Sequence, residues 1–136
     1  MTEKQIDIEK LTGISALLVH AAKIDENYTE KEKKIITDFL KMFIKDDAGK
    51  INEILKNSEE LESNSNQLLN FTNILKKNSL ESKAIVIKQL WKIILSDKNT
   101  DEYESNLIRR ICGLIYFPDK ESGEIKIKAM EEINLK

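Results

Sequence analysis

Cysteine and histidine occur once each, as Cys112 and His20. A lone cysteine forms no disulfide within the chain, and one Cys with one His falls short of the ligand set of an ordinary zinc centre. Only 4 glycines are present, and neither a P-loop nor a dinucleotide fingerprint occurs, both of which need glycines to bring backbone amides against phosphate. Arginine is limited to Arg109 and Arg110. The other positive charges are Lys, point charges that suit solubility more than bidentate reading of bases or phosphates. With Lys+Arg 22 against Asp+Glu 24 the chain lacks a basic footprint, and nucleic acid is not an expected partner. No apolar window is long enough to cross a bilayer, and Met1 to Gln5 runs straight into mixed charge without a signal-peptide core. A cytoplasmic location without a transmembrane anchor follows as the expectation; a peripheral role in a membrane complex stays compatible with it.

What remains is a chain of 136 residues, 40% hydrophobic and 34% charged, the balance of a globular protein and the length of one domain. No stretch rich in Gly, Pro or Ser divides residues 1–136. Helical periodicity dominates. Ile8, Leu11, Ile14 or Ser15, Leu18 and Ala22 recur at three- and four-residue steps, widened by Leu17 and Ala21. Asp25 to Tyr28 forms a turn, and Thr29 with Glu32 makes a capping box ahead of Ile35, Ile36, Phe39, Leu40 and Phe43. A short helix is expected to carry Ile51, Ile54 and Leu55, with Asn57 to Glu60 separating it from another that carries Leu61, Leu68, Phe71, Ile74 and Leu75. Asn78-Ser79 caps a strongly apolar helix through Leu80, Ile87, Trp91 and Ile94. A second acidic turn, Asp97 to Thr100, leads to Asp101 and Glu104 as a capping box before Leu107, Ile108, Ile111 and Ile115. Pro118 ends that helix, and Asp119 caps a last one reaching Met130 or Ile133. The fold class is all-α, a bundle of about six or seven helices.

The two acidic turns echo one another at a constant offset. Asp25, Asn27, Glu30 and Glu32 match Asp97, Asn99, Glu102 and Glu104, and Leu18, Ile35, Ile36 and Phe39 match Leu90, Leu107, Ile108 and Ile111. Two similar helical hairpins packed about a pseudo-twofold axis are the physical content of that repeat. The run from Leu90-Trp91 through Asp97 to Asp101-Glu102-Tyr103-Glu104 and Leu107 to Ile111, together with Ala21 to Asp25, Glu30 and Glu32, resembles the signature of the TerB-like family of tellurite resistance proteins. The resemblance spans about residues 11–128. It implies an all-helical fold, no established enzymatic activity, and association with tellurite resistance or stress response; the same fold type also occurs as an accessory domain in membrane-anchored co-chaperones. Glu26 and Lys98 stand where the family has Gly, Thr29 where its capping motif has Asp, and Thr100 where it has an aliphatic residue. These departures weaken the transfer of a metal-related role, more so at the first turn.

Asp97, Asp101 and Glu104 are the most concentrated carboxylates at a defined turn and the candidate metal ligands, of a type that suits a hard divalent cation. Capping and the helix dipole explain their spacing without a ligand. His20 and Cys112 have no nucleophile–base neighbour in the sequence and are expected to pack, as is Trp91, whose indole N–H needs a partner if buried. Arg109 is spaced to pair with Glu102 or Glu104. Tyr103, Tyr116 and Phe117 are expected to offer exposed aromatic area to a protein partner. The reading is a non-enzymatic helical interaction module without a cofactor, with an unidentified protein partner and homo-oligomerisation left open. A weak divalent-cation-binding or cation-responsive module at the second turn is the alternative.

Overall fold

The stripe beginning at Leu11 becomes helix α1 (Ile8–Ala22) in a computed structural model that describes residues 8–23, 28–44, 47–64, 68–96 and 102–134. Leu11, Ile14, Ala16, Leu17, Leu18 and Val19 are all fully buried. A helix apolar on nearly every side has to be covered on every side, and α1 lies at the centre of the core. Helix α2 (Glu30–Lys41) begins on the expected capping box. Thr29 Oγ1 accepts from the Glu32 amide at 3.2 Å, and Glu32 Oε1 accepts from the Thr29 amide at 2.7 Å. Ile36, Phe39 and Leu40 are its fully buried face.

Helix α3 (Ala48–Ser63), capped by Asp47, overturns one expectation. Asn57 to Glu60 do not separate two helices; α3 runs through them. Ser58 supplies the reason. Its buried Oγ lies 2.7 Å from the Ile54 carbonyl one turn back and 3.0 Å from the Thr12 carbonyl of α1. The hydroxyl is thus satisfied inside the helix and across its contact with α1, instead of drawing the backbone into a turn. Leu61 accordingly closes α3 rather than opening the next helix, and it is exposed.

Helices α4 (Leu68–Lys76), α5 (Leu80–Ser96), α6 (Glu102–Ile115) and α7 (Asp119–Asn134) bring the total among the described residues to seven. Ser79 caps α5, its Oγ accepting from the Ser82 amide at 3.2 Å. Asp119, expected as the cap of α7, is instead its first helical residue; the Pro118 carbonyl accepts from the Ser122 amide at 3.1 Å. The exposed Gly123 does not interrupt this helix.

The repeat reaches further than two hairpins. Helices α1 and α5 start at Ile8 and Leu80, and α2 and α6 at Glu30 and Glu102, pairs separated by the same offset as the matched turn residues. The third helices correspond as well. Both α3 and α7 have 16 residues, and buried Ile51 and Ser58 in the first fall in phase with buried Ser122 and Ala129 in the second. The chief partner of α1 is α3, and that of α5 is α7. Helix α4 has no counterpart. It packs on both α1 and α6, whereas the pair that corresponds to these two under the repeat, α5 and α2, pack directly on one another.

Phe71 and Leu75 anchor α4 in the core, and Ile74 sits against α1 at Gly13. A Cβ at position 13 would run into Ile74 Cδ1, so this glycine leaves the room that the end of the Ile74 side chain occupies. Gly13→Leu is expected to lower stability by about 2 kcal/mol in urea denaturation, as an overpacked core contact does. Adding Ile74→Ala should restore part of that loss; an additive double mutant would contradict the assignment.

Candidate functional site

Helix α6 must stop before Pro118, and it does so in a Schellman turn. The Phe117 N–H donates to the Cys112 carbonyl at 2.8 Å, and Tyr116 between them has φ 61, the one non-glycine residue with positive φ among those described. The residue following the left-handed position of such a turn folds back toward the helix and packs there when it is hydrophobic. Phe117 does so: it is 4% exposed and part of the core. The expectation that it offers exposed aromatic area is therefore corrected. Tyr116 points the other way, 69% exposed. Lys76 of α4 places its Nζ 5.0 Å from the Tyr116 ring centroid, and Asn73 and Lys77 line the same shallow surface. Tyr103 lies on the first turn of α6, about 20 Å along the helix axis from Tyr116. Its side chain falls outside the described part of the structure.

Asp97 and Asp101 lie outside the described residues, and Glu104 falls on the first turn of α6 with its side chain likewise undescribed. Among the described residues no group of three or more His, Cys, Asp or Glu is placed to hold a metal ion. Arg109 and Arg110 are exposed.

The polar contacts that the sequence reading missed come from α3. Glu62 Oε2 lies 3.2 Å from His20 Nδ1, and Glu62 Oε1 accepts from Lys23 Nζ at 2.8 Å. One turn earlier, Glu59 accepts from the Tyr28 hydroxyl at 2.8 Å, and Lys33 sits 5.1 Å from the centroid of that ring. Burial pushes the Tyr28 phenol far above its ordinary range, and the hydrogen bond to Glu59 and the charges of Glu59, Glu32 and Glu30 push it further; it is a neutral donor. These contacts fasten both ends of the first acidic turn to α3. The other half has an analogous clamp, in which Glu132 near the end of α7 takes Lys88 and Lys92 of α5, the latter at 2.6 Å. A signal for Glu59 and Glu62 was present. They continue the helical stripe of Ile51, Ile54, Leu55 and Ser58, masked by their polarity.

The family described as tellurite resistance protein TerB matches residues 12–127. The chain belongs to the TerB family. Searches of curated proteins and of solved structures gave no match. No helix among the described residues of this TerB domain is long and apolar enough to cross a membrane.

Ser122 of the TerB domain joins its two most distinctive core residues. Its Oγ accepts from Trp91 Nε1 at 3.0 Å, which gives the indole the partner its burial requires. Lys126 covers the Trp91 ring at 5.0 Å. Cys112 is 1% exposed. Burial pushes its thiol up, against an opposing hydrogen bond from Ser122 and with the help of the Asp119 charge. A buried, protonated thiol is a poor nucleophile. His20 is likewise engaged, between Glu62 and the Phe71 ring at 6.3 Å.

Two outcomes follow. Ellman's reagent is expected to reach Cys112 only after denaturation; prompt stoichiometric reaction of the native chain would contradict its placement. Burial pushes the Glu132 carboxyl up, but hydrogen bonds from Lys88 and Lys92 and their charges outweigh this and hold it below the usual carboxylate range. A carboxyl depressed in the folded state contributes stability above its unfolded pKa, and that contribution is lost as pH falls through the folded value. Urea midpoints measured from about pH 6 down to about pH 3 should therefore fall less steeply for Glu132→Gln than for the parent chain.

Proposed function

We propose that the chain acts as a single-domain, non-catalytic, cytoplasmic interaction module that docks a protein partner within a stress-response or membrane-proximal complex. Tyr116 carries this reading. The left-handed region costs a residue with a Cβ about 1–2 kcal/mol, and glycine is the usual choice at that point of a Schellman turn. Here a tyrosine occupies it with its ring outside the core. Strain maintained at an exposed aromatic side chain points to a surface kept for something other than folding.

The chemistry of the spot agrees. A tyrosine brings a large amphipathic contact area with few torsions to immobilise, and the Lys76 ammonium beside it adds a charge at the edge of that area. The two side chains that would invite catalysis are otherwise engaged, Cys112 as a buried thiol and His20 against Glu62 and Phe71. The family's description as tellurite resistance proteins supports the stress-response part of the proposal.

Affinity capture from the native cells with the parent chain, Tyr116→Ala and Tyr116→Gly tests it. The parent is expected to retain a specific protein and both variants to lose it. Tyr116→Gly, relieved of the left-handed strain, should melt no lower than the parent. Equal recovery by all three chains, or no specific protein on the parent, overturns the proposal.

A further inference from the structure

Carboxylates are spread along this chain with two wide gaps, and the fold brings the gaps together. Asp and Glu account for 24 of the 136 residues, yet none occurs from 63 to 80 or from 105 to 118. The first gap contains α4 and the second all of α6 after Glu104, and these two helices pack on one another. The charges that the gaps do hold are all positive: Lys76 and Lys77 in the first, Arg109 and Arg110 in the second. Both arginines of the chain are thus found here, and both are exposed. A local excess of four positive charges is built into a chain whose formal net charge is -2.

Tyr116 stands among these charges. Lys76 Nζ lies 5.0 Å from its ring centroid, and the shallow surface beside it is lined by Asn73, Lys76 and Lys77 without a carboxylate. Arg109 is two turns earlier on the same side of α6, about 10 Å along the axis from Tyr116. Between them exposed Gly113 leaves the helix bare, and a Cβ there would meet nothing within 4 Å. Lys76, Lys77 and Arg109 form no ion pair among the described residues. Asp119, the next carboxylate along the chain, bears on the buried Cys112 thiol. The groove of about 230 Å³ between α2, α5 and α7 is the contrast, because there Lys34 is held by Asp38 and Lys92 by Glu132. In that groove the charges answer one another; around Tyr116 they do not.

We infer that the surface formed by the ends of α4 and α6 around Tyr116 docks an acidic segment of the protein partner, one rich in Asp and Glu. The inference rests on the reading of Tyr116 given above and supplies the chemistry of what binds there. The exposed ring is the contact at the centre. Carboxylates on either side of it reach Lys76 and Lys77 at one edge and Arg109 at the other, where the guanidinium fork can take a carboxylate through two parallel N–H bonds. An unpaired field of one sign draws an acidic partner in and turns a basic one away. Nucleic acid is the poorer match among anions. Four cations neutralise few phosphates, a single tyrosine stacks on one base, and a strand leaving the surface runs on over the chain's 24 carboxylates.

The test is selection of a displayed library of random linear peptides against the full chain, followed by titration of the winning peptide by fluorescence polarisation. The enriched sequences are expected to carry an excess of Asp and Glu, and the winner to lose affinity as salt is raised. Lys77→Glu and Arg109→Glu, both exposed changes that leave the core untouched, should each weaken it by about tenfold or more, since they set like charge against like. Lys56→Glu on α3, an equal change of net charge away from this surface, should leave it unchanged. The inference is overturned if no peptide is enriched, if the winners carry no excess of carboxylates, or if Lys77→Glu and Arg109→Glu bind the winner as the parent does. Equal weakening by Lys56→Glu, or a single-stranded oligothymidylate bound as tightly as the winner, overturns it as well. Tyr116→Ala separates the two proposals. Winners without excess carboxylates that Tyr116→Ala nonetheless loses leave the docking role of Tyr116 standing and remove only the acidic partner, whereas acidic winners bound undiminished by Tyr116→Ala overturn both.

Discussion

Everything in this fold answers to the burial of α1 and α5. Each is apolar around most of its circumference, and the two pack on one another in the middle of the molecule. A helix of that kind cannot lie on a surface, so each half wraps it with two further helices, one of them its immediate successor and the other closing from the far side. The successor is positioned by a capped turn. The third helix is held by its own apolar residues and by a carboxylate near its end that reaches back to side chains on, or just past, the first. Glu62 and Glu132 thus perform comparable work in the two halves, with side-chain partners that differ in identity.

Perfect internal symmetry is broken by α4. The connection from the first half to the second needs a path, and in taking it the chain inserts Phe71 and Leu75 between α1 and α6. Where α4 stands, it fills the space between α1 and α6. Where nothing corresponds to it, α2 leans directly on α5 and a groove remains. The asymmetry arises from connectivity rather than from any difference in hydrophobic pattern between the halves, and that is why two similar stretches of sequence end with different surfaces.

The parts that were legible in the sequence are those where burial and periodicity coincide. The faces of α1, α2, α5 and α6 could be read from Leu11, Ile36, Leu90 and Ile108 because each apolar residue falls on a helical step. The Thr29–Glu32 box was legible because a capping box is wholly local. The latter half of α3 was not: Asn57, Ser58 and Glu59 have the composition of a turn, and only the Thr12 carbonyl of a helix distant in sequence makes Ser58 a comfortable interior residue. The surface reading divided along the same line. Two adjacent aromatics, Tyr116 and Phe117, look equivalent as letters; a single positive φ sends one outward and the other into the core. The carboxylates of the second turn fall outside the described residues, and the groove depends on three helices whose juxtaposition no local pattern encodes.

Trp91 is the sole tryptophan of the chain, hydrogen-bonded to Ser122 and covered by Lys126, both on α7. Its near-ultraviolet emission is accordingly a private signal of the α5–α7 seam. Were α7 to lift away while the remaining helices held, the indole would lose its hydrogen bond and its cover together, and the spectrum would redden before the helical content fell. The molecule carries an optical gauge of one of its two halves, with no corresponding chromophore in the other.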